Sequence, residues 1–187
     1  MRLFAVILIT IMSIVFPTDN DIGQQDVIPE EILDGYRNDS SNENAAKTVE
    51  SCEITDFSLV FSTLSWVDEE NLQLGIYRLE AKKWHETVSV KCEFTSHDGE
   101  SKVKEFSEDV SFLQELDAVI KEYNLAAFNG KSVFVSGLPE MYGEEITVLY
   151  DSGEHIYASD NQDGFIPKEC LYQIYKLFYN YENAFVD

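Results

Sequence analysis

Cationic side chains are scarce in this chain: 13 Lys and Arg stand against 35 Asp and Glu, a formal net charge of −22 with a pI near 4.2. A field of that sign repels phosphate backbones and anionic lipid heads, which argues against nucleic acid and anionic membrane surfaces as partners. Cysteine is scarce too. Cys52, Cys92 and Cys170 are too few for a disulfide framework, their odd number leaves at least one thiol unpaired within the chain, and their separation excludes the close-paired zinc motifs. The three histidines, His85, His97 and His155, show no i, i+4 metal spacing. There is no glycine-rich phosphate loop, no basic patch and no internal repeat.

The first residues, MRLFAVILITIMSIVFPTDN, place Arg2 ahead of an apolar run from Leu3 to Phe16 that Pro17 and Asp19 close. This is a secretory signal pattern. The run is shorter than the about 20 apolar residues that a membrane-spanning helix needs. Small side chains for cleavage are sparse, with only Ser13 and Thr18 near the boundary, so an uncleaved anchor stands as the alternative. No cysteine follows where a lipoprotein would be acylated. Residues 18–51 are rich in Asp, Glu, Asn and Ser and poor in aromatics, too little apolar surface to offset the entropy of ordering them. The expected organisation is a signal peptide over 1–17, an acidic disordered linker over 18–51, and a single domain over 52–187. That last stretch is long enough to bury a core of its own. Asn38-Asp39-Ser40 matches an N-glycosylation acceptor, a triplet common by chance.

Within the domain, Phe57, Leu59 and Phe61 alternate with Ser58, Val60 and Ser62, the period of a strand with one buried face. LQLGIYRLEAK, ETVSVKCEFTS and the shorter SKVKEF continue as an antiparallel meander. The period then lengthens. Phe112, Leu113, Leu116, Val119, Ile120 and Tyr123 fall on one helical stripe, and Ser111 with Gln114 matches a capping box. Asn129-Gly130 breaks the chain before KSVFV, a candidate short strand. EEITVLY and EHIYAS flank Asp151-Ser152-Gly153, which suits a type I turn closed by a glycine bulge. Pro167 opens a terminal helix carrying Cys170, Leu171, Ile174, Leu177, Phe178 and Tyr181 at helical spacing. The expected fold is α+β, an antiparallel sheet of about five to six strands (meander plus C-terminal hairpin) with two helices packed on one face.

Each chemical motif has a plainer explanation beside it. If Gly164 were the glycine of an EF-hand loop, Ser159, Asn161 and Asp163 would be the early ligands and Cys170 would replace the final bidentate carboxylate, so the motif fails. Asp160, Asn161, Asp163 and Glu169 remain as a weak, irregular calcium candidate, against a solvated turn. Ser96, His97 and Asp98 are adjacent in a turn, whereas a triad converges from separate parts of the chain. Cys92 alternates with Val88, Val90 and Phe94, and Cys170 shares a helix face with Ile174 and Leu177, so both read as core; a Cys52 to Cys92 bridge is the oxidising alternative. Acidic pairs such as Glu144 and Glu145 are expected by chance at this composition. The C-terminal third is crowded with aromatics, and Tyr172, Tyr175 and Tyr179, with Tyr157, form a candidate binding surface, with covering of the sheet as the plainer role.

The order LQELDAVIKEYNLAAFNG, then EEITVLYDSGEHIYAS, then a proline-initiated helix resembles a group of uncharacterised exported or lipoprotein-like domains of gut-type Firmicutes, over about positions 112–178. In that group a helix ending in EY.L..W.G precedes a hairpin and an I.ASG...P segment. Phe128 stands here in the tryptophan place and Asp160 in the glycine place, and the lipobox cysteine is missing. The resemblance implies fold and export and brings no activity or cofactor. The expectation is therefore a secreted or extracellular acidic module that binds a protein or glycan, without cofactor. An extracellular hydrolase with an unrecognised carboxylate or histidine site, or a weak calcium-binding adhesin, is the alternative.

Overall fold

A computed structural model describes residues 36–64, 72–137 and 143–180; the expected signal peptide lies outside them. Among the described residues, eight strands join one sheet: β1 (Arg37–Asp39), β2 (Ile54–Ser62), β3 (Gly75–Trp84), β4 (Thr87–Ser96), β5 (Ser101–Asp109), β6 (Ser132–Val135), β7 (Glu144–Tyr150) and β8 (His155–Asp160). Helix α1 (Ser111–Glu122) and a 3-10 turn (Leu125–Phe128) precede β6, and helix α2 (Lys168–Asn180) follows β8. The order across the sheet is β1-β6-β8-β7-β2-β3-β4-β5. The fold is α+β, with more strands than expected. β6 and β8 run parallel where an antiparallel sheet was expected, and every other pairing is antiparallel.

β2 joins the meander to the C-terminal strands and carries a bulge near its start. Ile54 and Phe57 are both buried, although three residues apart they would face opposite ways on a straight strand. The register against β7 shifts between Ile54 and Asp56, which resets the alternation so that Phe57, Leu59 and Phe61 follow Ile54 into the core. Tyr77, Leu79 and Ala81 of β3, Val88, Val90, Cys92 and Phe94 of β4, and Ile146, Val148 and Tyr150 of β7 line the same face.

Both helices rest there. α1 buries Phe112, Leu113, Leu116 and Ile120, and α2 buries Cys170, Leu171, Ile174, Tyr175 and Phe178. The Phe178 ring meets Phe57 at 5.8 Å between centroids and Phe112 at 5.0 Å, so one side chain ties sheet, α1 and α2 together. The capping box does not form. Val110 takes the N-cap position in helical geometry without a side-chain bond, and Asp109 Oδ1 accepts the Ser111 N–H (2.7 Å) instead. The hairpin turn is as expected: Gly153 adopts φ 85° and donates to the Tyr150 carbonyl (3.0 Å). The three cysteines are free, Cys92 and Cys170 buried and Cys52 exposed. Burial pushes both buried thiols up to about 12.

From Tyr36 onward, the segment expected to be linker is part of the fold. β1 pairs with β6 through Arg37, Asn38 and Asp39. Beyond it, the Asn42 N–H donates to the Gly130 carbonyl (2.7 Å), and Glu154 accepts from the N–H groups of Glu50 and Ser51 (2.9 Å each). The hub of this strap is Asn129, only 2% exposed. Its Nδ2 donates to the carbonyls of Ala46 (2.9 Å) and His155 (3.0 Å), its Oδ1 accepts the Tyr157 N–H (2.9 Å), and its carbonyl accepts from Lys47. The amide thus pairs with β8 as a strand residue would. Asn129→Ala leaves those groups without partners and is expected to lower unfolding stability by about 2–4 kcal/mol in urea denaturation. A loss below about 1 kcal/mol would mean that the strap contributes little.

Candidate functional site

The helices cover one face of the sheet; among the described residues nothing covers the other. In register across that open face lie Ser132, Ser159, Glu145, Val60, Arg78, Glu93 and Val103, and beside them Tyr157, Thr147, Ser58, Glu80, Lys91 and Glu105. The half built from β3, β4 and β5 is a lattice of opposite charges. Asp56 bonds Lys82 (3.0 Å) and Glu93 bonds Lys91 (3.4 Å).

The half built from β6, β8, β7 and β2 differs in kind. It exposes Phe134 (47%), Tyr157 (43%) and Leu149 (42%) among serines and a threonine. A groove of about 320 Å³ lies there, lined by Val60, Ser62, Ile76, Phe134, Glu145 and Ser159 among others.

Beneath the groove is a buried polar knot. Asp160, 1% exposed, bonds Lys131 (2.7 Å) through Oδ2, while its Oδ1 accepts the N–H groups of Gln162 (3.1 Å) and Asp163 (3.0 Å). Burial works against the Asp160 charge, but the Lys131 bond and the two amides more than offset it and hold the carboxyl below its ordinary 3.8. Glu144 is also buried, and its Oε2 accepts the N–H groups of Phe165 and Ile166 (2.7 Å each) at the approach to α2. Desolvation dominates there, reinforced by the nearby Asp160 charge, and raises Glu144 above its ordinary 4.5 despite those amides. Asn161 closes the knot: its side-chain amide accepts from the Val135 N–H (2.8 Å) and donates to the Val135 carbonyl (2.9 Å). Gly143 must be glycine because a Cβ would overlap the Asp160 carbonyl. These carboxylates organise backbone: both Asp160 oxygens and Glu144 Oε2 are taken by amides and a lysine.

Of the residues of the calcium candidate, Asp160 and Asn161 are committed as described, Asp163 reaches toward Arg37 (3.7 Å), and Glu169 is exposed on the first turn of α2. Among the described residues no three His, Cys, Asp or Glu side chains converge to hold a metal ion. Of the residues open to the hydrolase alternative, Ser152, Glu154 and His155 line one cavity, where the Ser152 hydroxyl donates to the Glu154 carboxylate (2.9 Å). The Asp151 carboxylate takes the Ser51 hydroxyl (3.2 Å), and the Glu154 carboxylate beside His155 holds the strap.

The tyrosines expected to form one binding surface are divided between two faces. Tyr157 lies on the open face. Tyr175 is buried at 5% exposure, edge-on to Tyr77 (5.4 Å), and stacks with Tyr179 (5.1 Å) and Tyr172 (6.5 Å), which are half-buried along α2. Lys176 sits over the Tyr172 ring at 4.2 Å. The row covers the sheet, the plainer of the two roles. Phe134 and Ile76 were not singled out from the sequence; their only signal is an apolar residue at an outward-facing place of an alternating strand, and Glu145 was read only as half of a chance acidic pair.

Two measurements follow from this geometry. A group raised on folding weakens stability above its folded pKa, so the Glu144 penalty fades as pH falls toward 4.5. Asp160 and Asp109, both lowered, contribute stability above 3.8 that is lost as pH falls through their folded values. Tm is therefore expected to rise as pH falls from 7 to about 5 and to drop below about 4, with Glu144→Gln flattening the rise. An unchanged profile in that variant would remove Glu144 from the explanation. Tyr175→Ala is expected to cost about 3 kcal/mol, against about 1 kcal/mol or less for Tyr172→Ser and Tyr179→Ser, in chemical denaturation.

No family model matches the chain, and no curated protein or solved structure shows detectable similarity to it.

Proposed function

We propose that this protein is a secreted or surface-displayed binding module that recognises a protein partner through the open face of its sheet. The observation that carries the reading is the exposure of Phe134, Tyr157 and Leu149, each more than 40% exposed and spread along one face with no covering layer among the described residues. Aromatic side chains on a preformed, rigid sheet give contact area at small entropic cost, and the surrounding hydroxyls supply a polar rim. Export rests on Arg2 and the apolar run that follows it. The recognition surface is thus reassigned from the α2 tyrosines, of which Tyr175 is committed to the core, to the opposite side of the sheet.

The test compares the wild-type chain with Phe134→Ala/Tyr157→Ser for retention of extracellular protein, with soluble wild-type chain as competitor. The double variant is expected to keep its Tm within a few degrees, because both side chains are half-exposed, and to lose the competed partner. Tyr172→Ser/Tyr179→Ser is expected to retain it. Equal retention by the open-face double variant would overturn the assignment.

A further inference from the structure

The charges of the open face are matched strand by strand, with one exception. Asp56 lies opposite Lys82, Glu80 and Glu105 lie opposite Lys91, and Glu93 lies opposite Arg78. Opposite-charge neighbours across strands stabilise a sheet, so this pattern accounts for itself. Glu145 breaks it: its neighbours are Ser159 on β8 and Val60 on β2. The groove that it lines contains no cationic residue, and segments 65–71 and 138–142 of the sequence hold no Lys or Arg either. Lys131, the nearest basic residue in sequence to β6, is committed to Asp160 (2.7 Å). The place where compensation fails is also the place where the face turns apolar, with Phe134 as a wall and Ile76 and Val60 beside it.

We propose that the groove receives an arginine side chain from a basic segment of the partner protein, an inference that rests on the open face being the recognition surface. Each part of an arginine has a counterpart. Its methylenes lie along Val60, its guanidinium plane faces the Phe134 ring, and its N–H fork reaches Glu145 and the hydroxyl of Ser159, the residue opposite it. Ammonium lacks the flat face and the fork, so lysine is the poorer occupant. The net charge of −22 draws a basic segment toward the protein before any contact forms.

The probe is the peptide acetyl-Gly-Ser-Arg-Ile-Ser-Gly-amide, with versions carrying lysine or the uncharged isostere citrulline in place of arginine, titrated into the isotopically labelled full chain at low salt. Amide shifts are expected to saturate at Phe134, Glu145, Ile76 and Ser159. Affinity is expected to fall about tenfold with citrulline and with Glu145→Gln, the loss of one charge-assisted pair, while Glu105→Gln changes it by less than about twofold. Absence of saturable shifts in the wild-type chain, or equal effects of Glu145→Gln and Glu105→Gln, would overturn the inference. The two readings fail separately: a partner lost by Phe134→Ala/Tyr157→Ser but kept by Glu145→Gln leaves the open face as the recognition surface and removes arginine as its occupant, whereas a partner kept by Phe134→Ala/Tyr157→Ser removes the open face itself.

Discussion

Two helices side by side are about 20 Å wide, whereas eight hydrogen-bonded strands span about 34 Å. That mismatch of area governs the rest of the molecule. The helices lie over the middle of the sheet, where Phe57, Tyr77, Ile146 and Val148 are fully or nearly buried, and the flanks need other solutions. On the β5 side the inward places are Lys104, Phe106 and Glu108, all only half-buried. A lysine stem and a lone aromatic tolerate partial wetting, and charges on an outer strand also discourage pairing with other chains. On the β8 and β6 side the 3-10 turn supplies Leu125 and Ala126, and Phe128 meets Phe165 at 5.5 Å.

The same flank shows how backbone polarity is satisfied where regular pairing ends. β6 and β8 run parallel and share only two register pairs, Ser132 with Ser159 and Val133 with Asp160. Such a short ladder leaves amides and carbonyls that water does not reach freely. Asn129 pairs with β8 at His155 and Tyr157, and Asn161 pairs with β6 at Val135, each side-chain amide offering a donor and an acceptor in place of a strand residue. Asp160 and Glu144 do related work for the turn that follows β8 and for the approach to α2. Buried polar groups are costly without partners, so this corner is specific because few other sequences would close it.

Legibility in the sequence follows from these two constraints. The meander, both helices and the 150–155 hairpin were legible because each buries an apolar stripe of regular period or needs a particular turn residue. β1 and the strap behind it were not, because side-chain and backbone hydrogen bonds rather than apolar burial hold them, and a polar segment so held has the composition of a linker. In α2 the stripe read from the sequence is buried at Cys170, Leu171, Ile174 and Phe178, but Leu177 is only half-buried and Tyr175, read as surface, completes the i, i+3, i+4, i+7 set with Leu171, Ile174 and Phe178. The groove was the least legible feature. Val60, Ile76 and Phe134 come from three strands far apart in sequence, and only the strand order brings them together.

That order also explains why one face carries two surfaces of different character. β2 is the seam. On its meander side charged residues of opposite sign face one another, with Asp56–Lys82 and Glu93–Lys91 in contact and Val103 exposed at the β5 end. On its other side the outward residues are serine, threonine, tyrosine, leucine, phenylalanine and His155, with the Glu145 carboxylate facing Ser159 and Val60 rather than a cation. A solvated surface gains nothing from Phe134 and Leu149 in that company. The rigidity of the site follows from its underside: the Lys131–Asp160 pair, the Glu144 carboxylate and the Asn161 amide fix β6, β7 and β8 from below, so the outward side chains sit on strands whose positions are set before any partner arrives. The buried knot thus contributes to recognition without touching the partner, because ordering that is complete in the free protein need not be supplied on binding.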